Sequence, residues 1–321
     1  MNYKLCPLYG LKSKRKLLEL LGISNPSTFP ISAKDISKTI KPKIDYSKGK
    51  GRLVEPPFYN LKSAQKRLLT YLQKLDFPFY VFCGVKGKTV ADNAKIHSGL
   101  KYVYQTDLSK FFPHITRNKI YNFFIKKMQM SSDVSNILTN ICTIDYCYVD
   151  NEKYMDVFIF FSNNNLKPNS HLMTGSPVSC ILSYLVNIDM FDAIYKKGSK
   201  QEINMSIYID DITFSCFKPI SHDFIQYVNR TLKKYNYKIS AYKCQYNTPK
   251  KVKKITGVII DKSGNIKVAN HIKYTIHKGL ASIKKNESTS ISKLKGYLSF
   301  TSLVEPKYKN VQKQIYTLKI Q

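Results

Sequence analysis

The sequence predicts an α+β fold, and three observations predict it. Ile207-Tyr208-Ile209-Asp210-Asp211-Ile212-Thr213-Phe214 is a β-branched and aromatic run broken by two adjacent acids, the pattern of a strand–turn–strand hairpin with both carboxylates at its tip. A second strand-like run, Tyr102 to Thr106, ends in Asp107. Elsewhere apolar residues recur at helical spacing, and roughly the last fifty residues read as three lysine-rich helices.

Neighbouring side chains on an extended strand point to opposite faces, so a turn is needed before Asp210 and Asp211 can serve one site. An isolated Asp-Asp pair is most often a solvated turn. Here the acids interrupt an apolar run in a chain with few acids, and Asp107 stands in a similar setting. Carboxylate oxygens suit a hard divalent cation such as Mg²⁺, and a strand ending in one acid beside a hairpin tipped by two is what a two-metal phosphoryl-transfer site requires.

The chain of 321 residues has room for one large or two to three small domains. Lysine and arginine number 52 against 21 acids, a formal charge of +31; five are arginine, leaving 52 − 5 = 47 lysines. Such an excess repels itself unless a polyanion compensates, which favours nucleic acid held through its phosphates. No apolar run approaches the length of a membrane span, and Met1 to Pro7 lacks the apolar stretch of a signal peptide, so a cytoplasmic protein without membrane attachment is expected. Seven scattered cysteines without a CxxC read as reduced core thiols.

In chain order, residues 1–47 form a lead-in with a short helix from Arg15 to Leu21. Lys48 to Pro57 suggests a basic hairpin, followed by a helix with Leu61, Leu68, Leu69, Leu72 and Leu75 on one face. Gly87-Lys88-Thr89 is no P-loop, because the required earlier glycine is replaced by Phe82. After Asp107, Thr116 and Ser132 are expected to cap two helices. Residues 144–170 alternate as strand, turn and strand around Val149-Asp150-Asn151-Glu152, a surface hairpin. Gly175 lets the backbone approach a ligand closely, and one buried helix is expected from Ile181 to Tyr195. Ser221 caps a helix bearing Phe224, Ile225, Val228 and Leu232; Lys238 to Cys244 reads as strand and turn. A hairpin turn at Asp261 to Asn265 leads into Ile266-Lys267-Val268, and Leu294, Leu298, Phe300 and Leu303 lie in the middle C-terminal helix.

Several of these stretches carry a family resemblance. Tyr208-Ile209-Asp210-Asp211 resembles the YxDD box of reverse transcriptases, and Asp107-Leu108-Ser109-Lys110-Phe111-Phe112-Pro113 resembles their first catalytic motif. Asn93, Ala94 and His97 match the NAxxH element of retron enzymes, and Ile255-Thr256-Gly257 resembles their VTG element. Leu172 to Ser179 resembles the LPQGxxxSP box, with Met173 for proline, Thr174 for glutamine and Cys180 for the final proline. The likeness spans about residues 48–320.

The resemblance implies a right-hand polymerase: fingers at 48–100 with part of 113–170, a palm at 101–250 whose antiparallel sheet carries the aspartates, and a helical thumb at 251–321. It implies that Asp107, Asp210 and Asp211 hold two Mg²⁺ ions, with Leu108 lending only its backbone carbonyl, and that Lys243 protonates the leaving pyrophosphate. Arg52, Gly175 and Ser176 would meet the incoming nucleotide, and Phe112 would select dNTPs over rNTPs while Phe111 fills core. Asn93, Ala94, His97, Ile255, Thr256 and Gly257 are expected to bind RNA, His97 alternatively serving local architecture.

The implied partners are a cognate non-coding RNA serving as template and primer, dNTPs, the branched RNA–DNA product (msDNA) begun from a guanosine 2′-hydroxyl, and a separate effector protein encoded nearby for anti-phage defence. Host RNase H is expected to remove template, since no such domain fits after the thumb. The alternatives are a group II intron-like or other defence reverse transcriptase, and a catalytically idle RNA-binding scaffold.

Overall fold

The computed structural model describes residues 1–25, 27–47, 49–284 and 290–317; Pro26, Lys48, 285–289 and 318–321 lie outside the described residues. Helix α1 (Lys14–Leu21) is capped by Ser13, which accepts from the Lys16 N–H, and closed by left-handed Gly22. After α2 (Ala33–Thr39), β1 (Lys43–Asp45) pairs antiparallel with β2 (Arg52–Val54), so the expected basic hairpin begins ahead of residue 48. Helix α3 (Tyr59–Leu72) buries Leu61, Leu68 and Leu72 at helical period, and α4 (Val90–Lys95) opens with a Thr89/Asp92 capping box. Strand β3 (Tyr102–Asp107) follows.

Thr116 occupies the cap of α5 (Arg117–Asn122) without a side-chain hydrogen bond, whereas Ser131, one residue before the expected Ser132, caps α6 (Ser132–Cys142). The expected hairpin at 144–170 is not formed. Strands β4 (Thr143–Ile144) and β5 (His171–Leu172) pair instead, and between them lies α7 (Met155–Asn163). A short apolar run fits either period; here Val157 and Phe161, four apart, are the buried pair, and helix wins.

The single helix expected from Ile181 to Tyr195 is two, α8 (Ser179–Leu185) and α9 (Ile188–Ser199). At the break, Asn187 donates to the Ser183 carbonyl and accepts from the Tyr237 hydroxyl, side-chain bonds that compete with a continuous helix.

Strands β6 (Asn204–Tyr208) and β7 (Asp211–Cys216) form the expected hairpin, and α10 (His222–Lys234), capped by Ser221, buries Phe224, Val228 and Leu232. The segment expected as a strand at 238–244 contributes only a bridge from Ile239 to Leu108 and a 3-10 turn; the paired strand is β8 (Gln245–Asn247).

The resulting four-stranded antiparallel sheet has the order β6-β7-β3-β8. Its register places Tyr104, Met205, Ile207, Ile212 and Phe214 on one face, where Phe214 meets Phe224 of α10 edge-on at 5.2 Å. Asp107 and Asp211 are register partners on the opposite face. Further along that face Val103 packs with Ala91 and Ala94 of α4 and with Ile255. One end of this face is therefore covered, and the other carries the acids.

The C-terminal part begins with a three-stranded sheet of β9 (Lys253–Ile255), β10 (Val258–Ile260) and β11 (Ile266–Val268). Helices α11 (Asn270–Lys284), α12 (Ile291–Val304) and α13 (Lys309–Thr317) follow around a small core of Ile276, Leu294, Leu298 and Ile315. Leu303, expected among the apolar positions of α12, is 51% exposed. Among the described residues no helix is long and apolar enough to cross a membrane.

Candidate active site

Asp107 ends β3 and Asp211 begins β7 directly across from it. Between β6 and β7 the chain turns through Ile209, whose φ of 62° is uncommon for a β-branched residue, and so delivers Asp210 to the same side. The Leu108 N–H donates to the Asp210 carbonyl at 3.0 Å, pinning the tip to the first acidic segment. Among the described residues these three acids form one group whose carboxylate oxygens lie within 4.8 Å of one another. Such a set of hard oxygen donors fits a divalent cation.

Three carboxylates held this close repel one another, a cost that a bound cation would offset. Burial first, then the charges of Asp107 and Asp211, push Asp210 up to about 7. Asp211 is raised for the same reasons, burial before Asp107, with Lys243 opposing. Lys243 binds Asp107 Oδ2 at 2.7 Å; burial pulls its ammonium down, but this ion pair outweighs burial and leaves it above its ordinary value.

The other expected residues take the following places. Phe112 is half-buried beyond Asp107, while Phe111 is buried and packs on Tyr237 at 5.1 Å. Arg52 is exposed on β2. Gly175 has φ +94°, and a Cβ there would lie 3.7 Å from the Glu55 carbonyl oxygen and from Val54 Cγ1, so its backbone lies close against the end of β2. Ser176 is buried, and its hydroxyl accepts from the Val178 N–H at 3.4 Å.

The residues expected to contact RNA take these places. Asn93, Ala94, His97 and Ile255 are buried and present no accessible side chain. His97 sits under the sheet, its ring nitrogens 2.5 and 2.8 Å from the hydroxyls of Ser215 and Ser206. Asn93 donates to Thr256 Oγ1 at 3.1 Å, joining α4 to the tight turn of Thr256 (φ 45°) and Gly257 (φ 88°). The two sequence elements are thus halves of one structural joint. Only Thr256 and Gly257 retain partial exposure.

Three nearby groups escaped the sequence reading. Lys50 stands over the Tyr242 ring at 4.2 Å, and Lys110 over Phe160 at 4.7 Å. Burial, then the charges of Lys243 and Lys50, lower Lys110, and of these Lys243 is the one paired with Asp107. The clue available was the position of Lys110 three residues after Asp107. Glu55, the third, is fully buried and bonded to Tyr146, His171 and Thr174. Its clue was a lone acid between Val54 and Pro56-Pro57.

The family model described as Reverse transcriptase (RNA-dependent DNA polymerase) matches residues 29–278. The chain belongs to this family. It is an RNA-directed DNA polymerase by family, with an α+β fold whose antiparallel sheet bears the aspartates, and the relatives that it matches are retron reverse transcriptases. It is 26% identical over 196 residues to Retron Se72 reverse transcriptase of Salmonella heidelberg, a match covering 59% of this chain and 45% of that protein. With Retron Ec83 reverse transcriptase of Escherichia coli it shares 24% over 270 residues, 80% of each chain. Retron Ec86 reverse transcriptase of Escherichia coli is 24% identical over 261 residues, 80% of this chain and 72% of that one. Among solved structures, a foamy viral protease-reverse transcriptase in complex with ds DNA aligns over 87% of this chain and 38% of that one, at 15% identity and a TM-score of 0.44.

Proposed function

We propose that this reverse transcriptase copies a cognate retron non-coding RNA into single-stranded DNA that stays joined to the RNA through the 2′-hydroxyl of a guanosine, and that the product acts in anti-phage defence with a separate effector. The observation that carries the polymerase reading is the convergence of Asp107, Asp210 and Asp211, with oxygens within 4.8 Å of one another. The similarity to retron enzymes over most of the chain supports the retron-specific steps.

In this reading the three carboxylates hold two Mg²⁺ ions, joined by the Leu108 carbonyl. When bound, the metal lowers the pKa of the attacking hydroxyl and stabilises charge on the departing pyrophosphate. Asp107 and Asp211 are fixed by strand register, so they orient the reacting groups without reorganising. Lys243 holds a proton within reach of the acids and gives it to the leaving group. Arg52 meets the nucleotide phosphates, and Phe112 closes the space a ribose 2′-hydroxyl would need. Residues 48–100 serve as fingers, 101–250 as palm and 251–321 as thumb, with Thr256 and Gly257 reaching RNA. Template removal falls to host RNase H.

The test is to purify the protein from cells carrying its native locus, extract bound nucleic acid, and treat it with RNase and debranching enzyme. A discrete short DNA whose mobility shifts on debranching, absent from Asp210→Ala/Asp211→Ala, is the expected result. RNA alone, equal in both preparations, overturns the reading.

A further inference from the structure

Outside the catalytic acids, Glu55 is a buried carboxylate. It is fully buried, and both carboxylate oxygens are doubly satisfied. Oε1 accepts from the Tyr146 hydroxyl at 2.7 Å and from His171 Nε2 at 3.0 Å. Oε2 accepts from the Thr174 N–H at 2.8 Å and the Thr174 hydroxyl at 3.0 Å. A fifth bond runs along the backbone, from the Glu55 N–H to the Thr174 carbonyl at 2.8 Å.

The surroundings of His171 favour an imidazolium: burial opposes the charge, but Glu55 and the Asn169 carbonyl outweigh it and raise the ring above its ordinary value. Its Nδ1 faces the Asn169 carbonyl at 2.9 Å and its Nε2 faces the carboxylate, so both nitrogens must donate. Tyr146 stacks on that ring at 5.5 Å with the planes 8° apart. Burying such an ion pair is costly, and a well-packed apolar set of similar volume would serve stability as well or better. Its location supplies a different reason for it. The network joins the end of β2, which carries Arg52, to the loop of Gly175 and Ser176.

Position 174 also departs from the family box, which has glutamine there. Thr174 commits its N–H, its hydroxyl and its carbonyl to Glu55. Next to it, Gly175 lies against Val54 and the Glu55 carbonyl, and its φ of +94° is one that L side chains rarely adopt.

We propose that Glu55 is a positioning residue for the incoming nucleotide: through Thr174 its buried carboxylate fixes the Gly175-Ser176 loop to β2, so that the two walls of the nucleotide site, Arg52 and the loop, keep one spacing. This rests on the polymerase reading above, and it concerns Thr174, the position at which this chain departs from the family's glutamine.

The test is steady-state primer extension on an RNA template with varied dNTP, alongside amide hydrogen exchange at residues 174–176. Glu55→Gln keeps the shape but turns an amide N–H toward groups that themselves donate. It raises KM for dNTP ~10-fold or more, the scale of a lost hydrogen bond to a buried charge, with kcat within about threefold. Thr174→Val raises KM less and in the same direction, and serves in its place where Glu55→Gln does not fold. Thr174→Ser keeps the hydroxyl and the wild-type KM. Amide exchange at 174–176 rises in Glu55→Gln and Thr174→Val.

A fall in kcat at unchanged KM means that Glu55 only maintains the fold, and overturns the proposal. If the wild type extends no primer, the polymerase reading falls first. Exchange at 174–176 still reads the clasp in that case, and unchanged exchange in both variants removes it too.

Discussion

Lys243 Nζ lies 2.7 Å from Asp107 Oδ2, so a cationic side chain already rests on a carboxylate of the proposed metal site. Metal and ammonium compete for the same oxygen. Lys243→Met is therefore expected to lower the Mg²⁺ concentration giving half-maximal primer extension, and to lower the maximal rate ~10²-fold through loss of the proton donor. Initial rates across a Mg²⁺ titration at saturating dNTP separate the two effects. An unchanged Mg²⁺ requirement contradicts the competition.

Asp210 carries a pH signature. Burial, then its two acidic neighbours, raise it from 3.8 to about 7, so the folded protein holds a proton that the unfolded chain releases earlier. Without metal, stability is therefore lost as pH rises through the window from 3.8 to about 7. Asp210→Asn removes that loss: thermal melting at pH ~8 is expected a few degrees above wild type without Mg²⁺, with little difference near pH ~4. Added Mg²⁺ raises the wild type and not the variant. A variant less stable than wild type at alkaline pH without Mg²⁺ contradicts the assignment.

Phe112 supplies a specificity test. Its ring is half-buried while neighbouring Phe111 is anchored on Tyr237, so truncating Phe112 opens space without emptying the core. Phe112→Ala is expected to reduce dNTP-over-rNTP discrimination ~10²-fold in kcat/KM, most of it from faster rNTP insertion. Competition between dNTP and rNTP on one primer measures it.

His97 makes an opposite prediction to a nucleic-acid contact. Burial lowers its pKa from 6.5 to about 3, so it stays neutral in the fold. The unfolded chain takes up a proton that the folded one refuses, and stability falls as pH drops from 6.5 toward 3. His97→Ala strands the Ser206 and Ser215 hydroxyls beside a cavity and is expected to cost ~2–4 kcal/mol in denaturant unfolding. Nucleic-acid affinity of the folded fraction is expected to stay unchanged.

The acids were legible because an Asp-Asp pair inside a β-branched run has few physical reasons to exist besides a shared site, and the strand ending in Asp107 could be paired with it by pattern alone. Helices with strong apolar period, such as α3 and α10, were equally visible. Periodicity failed where it is ambiguous, at Met155–Asn163, and where a side chain competes with the backbone, at Asn187. The buried state of His97 and Asn93 was hidden because their partners, Ser206, Ser215 and Thr256, are more than a hundred residues away in sequence. Glu55 was invisible for the same reason: its value lies in His171, Tyr146 and Thr174, none of which neighbours it in the chain.

The most direct test of the central claim is extension of a labelled DNA primer on an RNA template with dNTPs and Mg²⁺, using wild type beside Asp107→Asn, Asp210→Asn and Asp211→Asn. The account predicts template-directed extension by the wild type, abolished by chelation and reduced at least ~10³-fold in each variant while circular dichroism shows the fold intact. Extension that survives loss of any of the three carboxylates, or a wild type that binds the duplex and adds no nucleotide, would contradict it.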